Sequence, residues 1–192
     1  MRKLILIAHI SLDGFVAGQK GELDDFDKGE ENLEFICGLT LDADATLMGR
    51  ISYELLESYW PTAKDLPNAS KGEIQYSCWY NDAKKIILSR TLHNANLKNT
   101  IILDQNISNE IANIKKQSGK NILIFGSPTA TQFLMQLELI DSYWIFVNPI
   151  IFGKGIPLFS GLNNKIKLKL ENTKQFSNGE IALNYMVVSQ SH

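Results

Sequence analysis

Ile122-Leu123-Ile124-Phe125-Gly126-Ser127-Pro128-Thr129-Ala130-Thr131 decides the fold. A short, Ile-rich apolar run bounded by Gly-Ser-Pro reads as a buried strand. Pro128 suits the first turn of a helix, because its missing N–H needs no partner there. A helix is therefore expected over 129–139. Such a junction delivers small residues onto a helix start, where a pyrophosphate can rest on unpaired backbone N–H groups. It is not a G-x-G-x-x-G, and it comes late in the chain. That argues against the dinucleotide-binding fold which carries its glycine motif after the first strand.

Working outward, strands are expected at 3–11, 45–48, 85–89, 100–103, 143–147 and 149–152. Helices are expected at 30–41, 49–59, 72–82 and 108–117, the last capped by Ser108. Trp60-Pro61 ends the second of these, since the residue before proline leaves the α region. Gly14, Gly18 and Gly21 mark a loop after the first strand. At the C-terminus, Lys165–Leu170 and Ile181–Val187 alternate polar and apolar residues around Ser177-Asn178-Gly179, and Asn-Gly is a strong hairpin signal. Each of these two strands should bury one face. The expected fold is α/β: a single domain over 1–192, with a three-layer, mostly parallel mixed sheet of about eight strands and a C-terminal antiparallel hairpin.

Composition sets bounds. The chain has 192 residues, 44% of them apolar, and a formal charge of −2. Nothing in that balance calls for nucleic acid or a membrane surface as partner. Cys37 and Cys78 form no CxxC, and no Cys/His cluster has zinc spacing, so no metal is expected. Two lone thiols suit a reducing compartment. Leu4–Ile10 is too short to span a bilayer and runs into Ser-Leu-Asp-Gly without a cleavage pattern. The expectation is a cytoplasmic protein. His9, within an apolar run, reads as a packed residue.

Two further junctions carry candidate chemistry. In Leu47-Met48-Gly49-Arg50-Ile51-Ser52-Tyr53-Glu54 a helix start with an adjacent guanidinium could hold phosphate. A plain turn with a solvated arginine fits those residues equally well. Ile87-Leu88-Ser89-Arg90-Thr91 could hold a phosphomonoester, or be a surface turn capped by its hydroxyls. In an open α/β sheet such junctions converge at the carboxyl ends of the strands, where ligands bind. The acidic run Glu22, Asp24, Asp25, Asp27, Glu30 and Glu31 reads mainly as a solvated loop and helix start. Asp13, between a strand and Gly14, is either a cleft-facing carboxylate or an Asx turn. Trp60 could line a pocket.

With Ser11-Leu12-Asp13-Gly14-Phe15-Val16-Ala17, Leu47 to Glu54, Leu88-Ser89-Arg90-Thr91-Leu92, Gly126 to Leu134, Leu139-Ile140-Asp141 and Pro149 to Phe159, the chain resembles the dihydrofolate reductase superfamily. Within it, the chain is similar to the C-terminal reductase domain of the bacterial bifunctional riboflavin deaminase–reductase. The resemblance covers roughly residues 2 to 188. It implies a reductase that takes NADPH, with NADH as the alternative, and passes hydride to a small heterocycle, as in reduction of 5-amino-6-(5-phosphoribosylamino)uracil. It implies that Gly49, Arg50, Ile51 and Ser52 meet cofactor phosphates and that Leu88, Ser89 and Arg90 meet the 2′-phosphate. Gly126, Ser127, Pro128, Thr129, Ala130 and Thr131 would cradle the pyrophosphate. Asp13 is the candidate catalytic residue, and Asp13, Phe15, Tyr53 and Trp60 the candidate substrate contacts. A homodimer is implied, joined near an exposed apolar strand at 143–152.

Departures are visible. Gly126-Ser127 stands where the family has Gly-Gly, and Pro128 removes a donor. The tryptophan of the first loop in dihydrofolate reductases has Phe26 as its nearest counterpart. No HxE or PCxxC is present, so any riboflavin-type activity is the reductase step alone. Dihydrofolate reductase itself and a non-catalytic nucleotide-binding module on the same fold are the alternatives.

Overall fold

A computed structural model describes residues 1–23, 26, 29–92 and 97–188. Asp24, Asp25 and Asp27 of the acidic run lie outside the described residues. The elements in chain order are β1 (Leu4–Ser11), β2 (Phe15–Ala17), α1 (Glu30–Thr40), β3 (Ala43–Gly49), α2 (Arg50–Glu57), α3 (Trp60–Ala63), α4 (Lys71–Asp82) and β4 (Lys84–Leu88). They continue with β5 (Thr100–Leu103), α5 (Ile107–Lys116), β6 (Asn121–Phe125), α6 (Pro128–Gln136), β7 (Ser142–Asn148), β8 (Ile156–Pro157), β9 (Leu168–Gln175) and β10 (Ile181–Val187). Eight strands form one mixed sheet in the order β5-β4-β3-β6-β1-β7-β10-β9, and β2 and β8 form a small antiparallel pair. The fold is the expected α/β class.

The chain forms two compact units: Met1–Arg2 with Lys28–Leu123, and Lys3–Asp27 with Ile124–His192. Each is assembled from segments distant in sequence, which is why no linker or change of composition marks a boundary.

In the first unit β3, β4 and β5 run parallel. Most apolar residues of β3 and β4 are buried on both faces, Leu47, Ile86 and Ile87 being among the most enclosed, as a covered parallel sheet requires, while edge strand β5 is mostly half-buried. Ser70 and Glu73 close a reciprocal capping box that starts α4. Tyr76 and Tyr80 then enter the core, where Tyr80 donates to Glu57 at 2.9 Å and Trp60 packs on Tyr76 at 4.2 Å. Burial pushes the Lys85 ammonium below its usual value; it donates to the Tyr80 carbonyl at 2.6 Å and so closes the end of α4.

In the second unit β1 pairs parallel with β7, and β7, β10 and β9 continue antiparallel. The Asn178-Gly179 turn joins β9 to β10, with Gly179 at φ +87° and its N–H donating to the Phe176 carbonyl.

Several expectations are corrected. Trp60-Pro61 opens the short α3 instead of simply ending α2, because proline fits a first turn. The cap of α5 is Asn106, in the left-handed region that asparagine tolerates, and not Ser108. Residues 149–152 are not a strand: Pro149 cannot donate to a ladder, and Ile150 N–H turns back to the Asn148 carbonyl at 2.8 Å. Strand pairing resumes only at β8, which meets β2. Strand β7 is interior and almost wholly buried, so the exposed apolar strand expected near 143–152 is absent there. Instead Leu168 and Leu170 on edge strand β9, and Ile181 on β10, remain exposed, and β9 buries neither face as the alternation had suggested.

Candidate active site

The first unit brings two of the three expected junctions together. Gly49, the last residue of β3, is the register partner of Leu88, the last residue of β4. The two strands are parallel, so Gly49-Arg50 and Leu88-Ser89-Arg90 leave the sheet side by side at its carboxyl end. No stretch of the sequence announces that pairing. Gly49 has extended backbone angles and caps α2 without a side-chain bond. The first-turn N–H groups of Arg50, Ile51 and Ser52 have no intrahelical acceptor. Ser52 is half-buried and has no hydrogen-bond partner among the described residues. Arg50 donates Nη1 to both oxygens of Glu54, at 2.8 and 2.9 Å. That exposed i,i+4 pair contributes only about 0.3–0.5 kcal/mol, so an incoming phosphate can displace it.

Ser89 Oγ accepts from Thr91 N–H at 3.2 Å and Leu92 N–H at 3.0 Å, which folds the turn, and it lies 3.5 Å from Thr91 Oγ1. Arg90 is exposed, with no partner among the described residues. The candidate substrate contacts of this unit are less open. Tyr53 is buried, and burial together with Glu57 raises its phenol. Trp60 is wedged between Tyr59 and Tyr76.

In the second unit the Gly126 N–H donates to the Ile7 carbonyl at 2.9 Å, which fastens the expected pyrophosphate turn to β1. Gly126 and Ser127 both take positive φ, +55° and +49°. A Cβ at Gly126 would meet nothing within 4 Å, so glycine is needed there for its backbone angle and open space lies above it. Thr131 Oγ1 donates to the Gly126 carbonyl at 2.7 Å and holds the turn from below. Helix α6 then leaves the N–H groups of Thr129 and Ala130 without intrahelical acceptors, and Pro128 contributes none. Ser127 pays for a left-handed conformation that glycine adopts freely. Ser127→Gly is expected to raise stability by about 1 kcal/mol, read as a thermal midpoint higher by roughly 2–4 °C; an unchanged or lower midpoint contradicts the strain.

Asp13 is fully committed within the loop. Its Oδ1 accepts from Ser11 Oγ at 2.6 Å and Phe152 N–H at 3.1 Å, and its Oδ2 from Gly153 N–H at 2.7 Å. These bonds, the Ser11 hydroxyl foremost, hold its carboxyl below the usual range. The geometry is that of a clamp between the β1 loop and the segment after β7. Phe15 packs beside Gly155, where any Cβ would collide with the Ala17 carbonyl. One arrangement had no local signal in the sequence: Glu180, wholly buried, accepts from His9 Nδ1 and Asn148 Nδ2. Among the described residues no group of three or more His, Cys, Asp or Glu could hold a metal ion. No helix among them is long and apolar enough to cross a membrane.

Residues 2–182 match the family model of the RibD C-terminal domain. The chain is similar to the uncharacterized protein YyaP of Bacillus subtilis (strain 168), 31% identical over 190 residues, which cover 96% of this chain and 94% of that protein. Its fold is similar to that of a putative riboflavin biosynthesis protein from Shewanella sp. PV-4, with a TM-score of 0.71 at 20% identity, over 97% of this chain and 99% of that one. It is also similar to that of dihydrofolate reductase from Enterococcus faecalis complexed with NADP(H), with a TM-score of 0.64 at 14% identity over 97% of each chain.

Proposed function

The chain belongs to the RibD C-terminal domain family, and from that premise we propose that it is an NADPH-dependent reductase acting on a C=N or C=O bond of a small heterocyclic substrate. The observation that carries this reading is the register pair Gly49 and Leu88, which sets Arg50, Ser89 and Arg90 side by side at the carboxyl ends of two parallel strands. Two guanidinium groups, a hydroxyl and a helix start form a donor set suited to a phosphorylated nucleotide. The second unit, taken by itself, also suits a phosphate: the left-handed Gly126-Ser127 turn leaves open space above Gly126, and the N–H groups of Thr129 and Ala130 have no intrahelical acceptors.

In this reading Ser89 and Arg90 of the first unit take the 2′-phosphate, and Arg50 and Ser52 with the start of α2 take a backbone phosphate; within the second unit, taken by itself, the turn from Gly126 to Thr131 is suited to a pyrophosphate. The reduced nicotinamide, when bound, supplies the hydride. The protein's own work is to fix the orientation of the reactants and to exclude water. Asp13, by clamping the segment at 152–153, keeps the loop that carries Phe15 in place for substrate. Reduction of a pyrimidine resembling that of riboflavin biosynthesis is the substrate class the family name favours; the Shewanella protein bears a riboflavin biosynthesis name.

Titrating the purified protein with NADPH and NADH while following tryptophan fluorescence tests the proposal. Saturable NADPH binding at micromolar concentrations is expected, followed by oxidation of the cofactor with one member of a panel of pteridines, pyrimidines and quinones. Absence of saturation by either nucleotide up to millimolar concentration ends the reductase reading. Binding without oxidation of the cofactor by any panel member favours the non-catalytic module.

A further inference from the structure

The second unit holds a buried charged group that cofactor binding does not use. Glu180, directly after the Asn178-Gly179 turn, has no solvent exposure. Its Oε1 accepts from His9 Nδ1 at 2.6 Å and from Asn148 Nδ2 at 2.8 Å, while its Oε2 has no hydrogen-bond partner. An ionised carboxylate in such a place is costly unless paired with a positive charge. Among the described residues His9 is the one hydrogen-bonded to it that can carry that charge. Among the described residues, Asp13 is bonded to Ser11, and the Lys174 ammonium sits over the Phe176 ring.

The ring of His9 is held firmly. It stacks on Phe146, its register partner on β7, with centroids 4.6 Å apart, and Phe26 lies 6.5 Å away. The carboxylate fixes Nδ1, and Nε2 has no partner among the described residues. The side chain remains 26% exposed. A buried carboxylate that orients a partly exposed imidazole is the arrangement of a general acid or base. Its position suits the chemistry. Gly126 is bonded to the Ile7 carbonyl, so the pyrophosphate turn meets β1 two residues before His9. Two residues along a strand is about 7 Å. Asp13, by contrast, is an acceptor with both oxygens engaged and its proton affinity lowered.

We propose that His9, positioned by Glu180 and Asn148, is the proton donor of the reduction, an inference that rests on the reductase reading above. As the substrate carbon accepts hydride from the nicotinamide, the C=N or C=O π pair moves onto nitrogen or oxygen. That atom takes the proton from His9 Nε2, and the neutral imidazole regains a proton from solvent. Glu180 is a positioning residue: it stabilises the imidazolium and sets the ring's orientation without touching substrate.

The test follows the histidine ring signals of the intact protein by NMR across pH, alone and with saturating NADPH, assigning His9 by its loss in His9→Asn. The His9 signals are expected to shift on NADPH saturation. In Glu180→Gln the His9 ring signals should shift at fixed pH, since Nδ1 loses its carboxylate partner. With a substrate of the panel, His9→Asn should lower kcat by about 10²–10⁴-fold with KM changed less than threefold, and Glu180→Gln should lower kcat with KM likewise changed less than threefold. His9 signals that do not respond to NADPH, when fluorescence shows NADPH bound, overturn the proposal. So does a kcat in His9→Asn within threefold of wild type. If fluorescence shows no NADPH binding at all, the reductase reading has failed and this inference goes with it; that result is distinct, because the Glu180-dependent change in the His9 signals would still be observed.

Discussion

Phe146→Ala is expected to destabilise the protein by about 3–5 kcal/mol, the range for deleting a fully buried aromatic ring. Phe146 has no solvent exposure and lies on β7, which is paired on both sides. Its ring stacks on His9 at 4.6 Å and on Phe176 at 5.9 Å, and its register partner on β10 is the small Ala182. Three hydrogen-bonded strands cannot close over the space left by the ring, and Ala182 has no reach to fill it. The cavity term therefore adds to the lost transfer free energy, and each broken aromatic pair adds about 0.5–1.5 kcal/mol. For a chain of this size the thermal midpoint should drop by something on the order of 10 °C. Leu168→Ala, at an exposed position of β9, is the control and should change stability by less than about 0.5 kcal/mol. A loss of under 1 kcal/mol for Phe146→Ala in denaturant melts would show that the second unit is not packed around this ring.

The same residues show what could be read from the chain and what could not. Strand β6 running into α6, and the β9–β10 hairpin, were legible because their signals are local: an apolar run ending in Gly-Ser-Pro, and an alternating pattern around Asn-Gly. Local competition produced the errors. Pro149 sits in an apolar run that reads as strand, yet it withholds the N–H that a ladder needs. Leu168 and Leu170 alternate with lysines as though one face were covered, and alternation cannot say that the strand lies at an edge. Ser70 and Glu73 form a capping box that starts α4 one residue before the helix expected over 72–82. For the candidate site, the loops themselves were visible, but the pairing of Gly49 with Leu88 is a consequence of strand order. Glu180 and His9 are 171 residues apart and neither has a motif around it. A histidine in an apolar run reads as packing, and it is indeed packed on Phe146; the carboxylate behind it appears only once β1, β7 and β10 are side by side.

Arg90→Ala should weaken NADPH binding by about 10–100-fold while leaving NADH binding within about twofold, since a hydrogen bond to a charged group contributes about 1.5–3 kcal/mol. Arg90 is exposed and has no partner among the described residues, so its removal breaks no contact among them, and the change in affinity reports the nucleotide contact. Arg50→Ala is expected to behave differently. Arg50 sits at the first turn of α2, where a phosphate common to both nucleotides would dock, and it must first surrender Glu54. Its loss should weaken NADPH and NADH alike, by roughly tenfold, because displacement of the weak Glu54 pair offsets only a few tenths of a kcal/mol. The contrast between the variants separates the two adjacent junctions by the phosphate each one holds. Raising ionic strength should narrow the NADPH preference of the wild type and leave that of Arg90→Ala almost flat, because exposed charge pairs are screened. Equal losses for both nucleotides in Arg90→Ala would place that guanidinium on a shared phosphate and remove the physical basis for NADPH preference; no loss for either would take the Leu88–Arg90 turn out of the site.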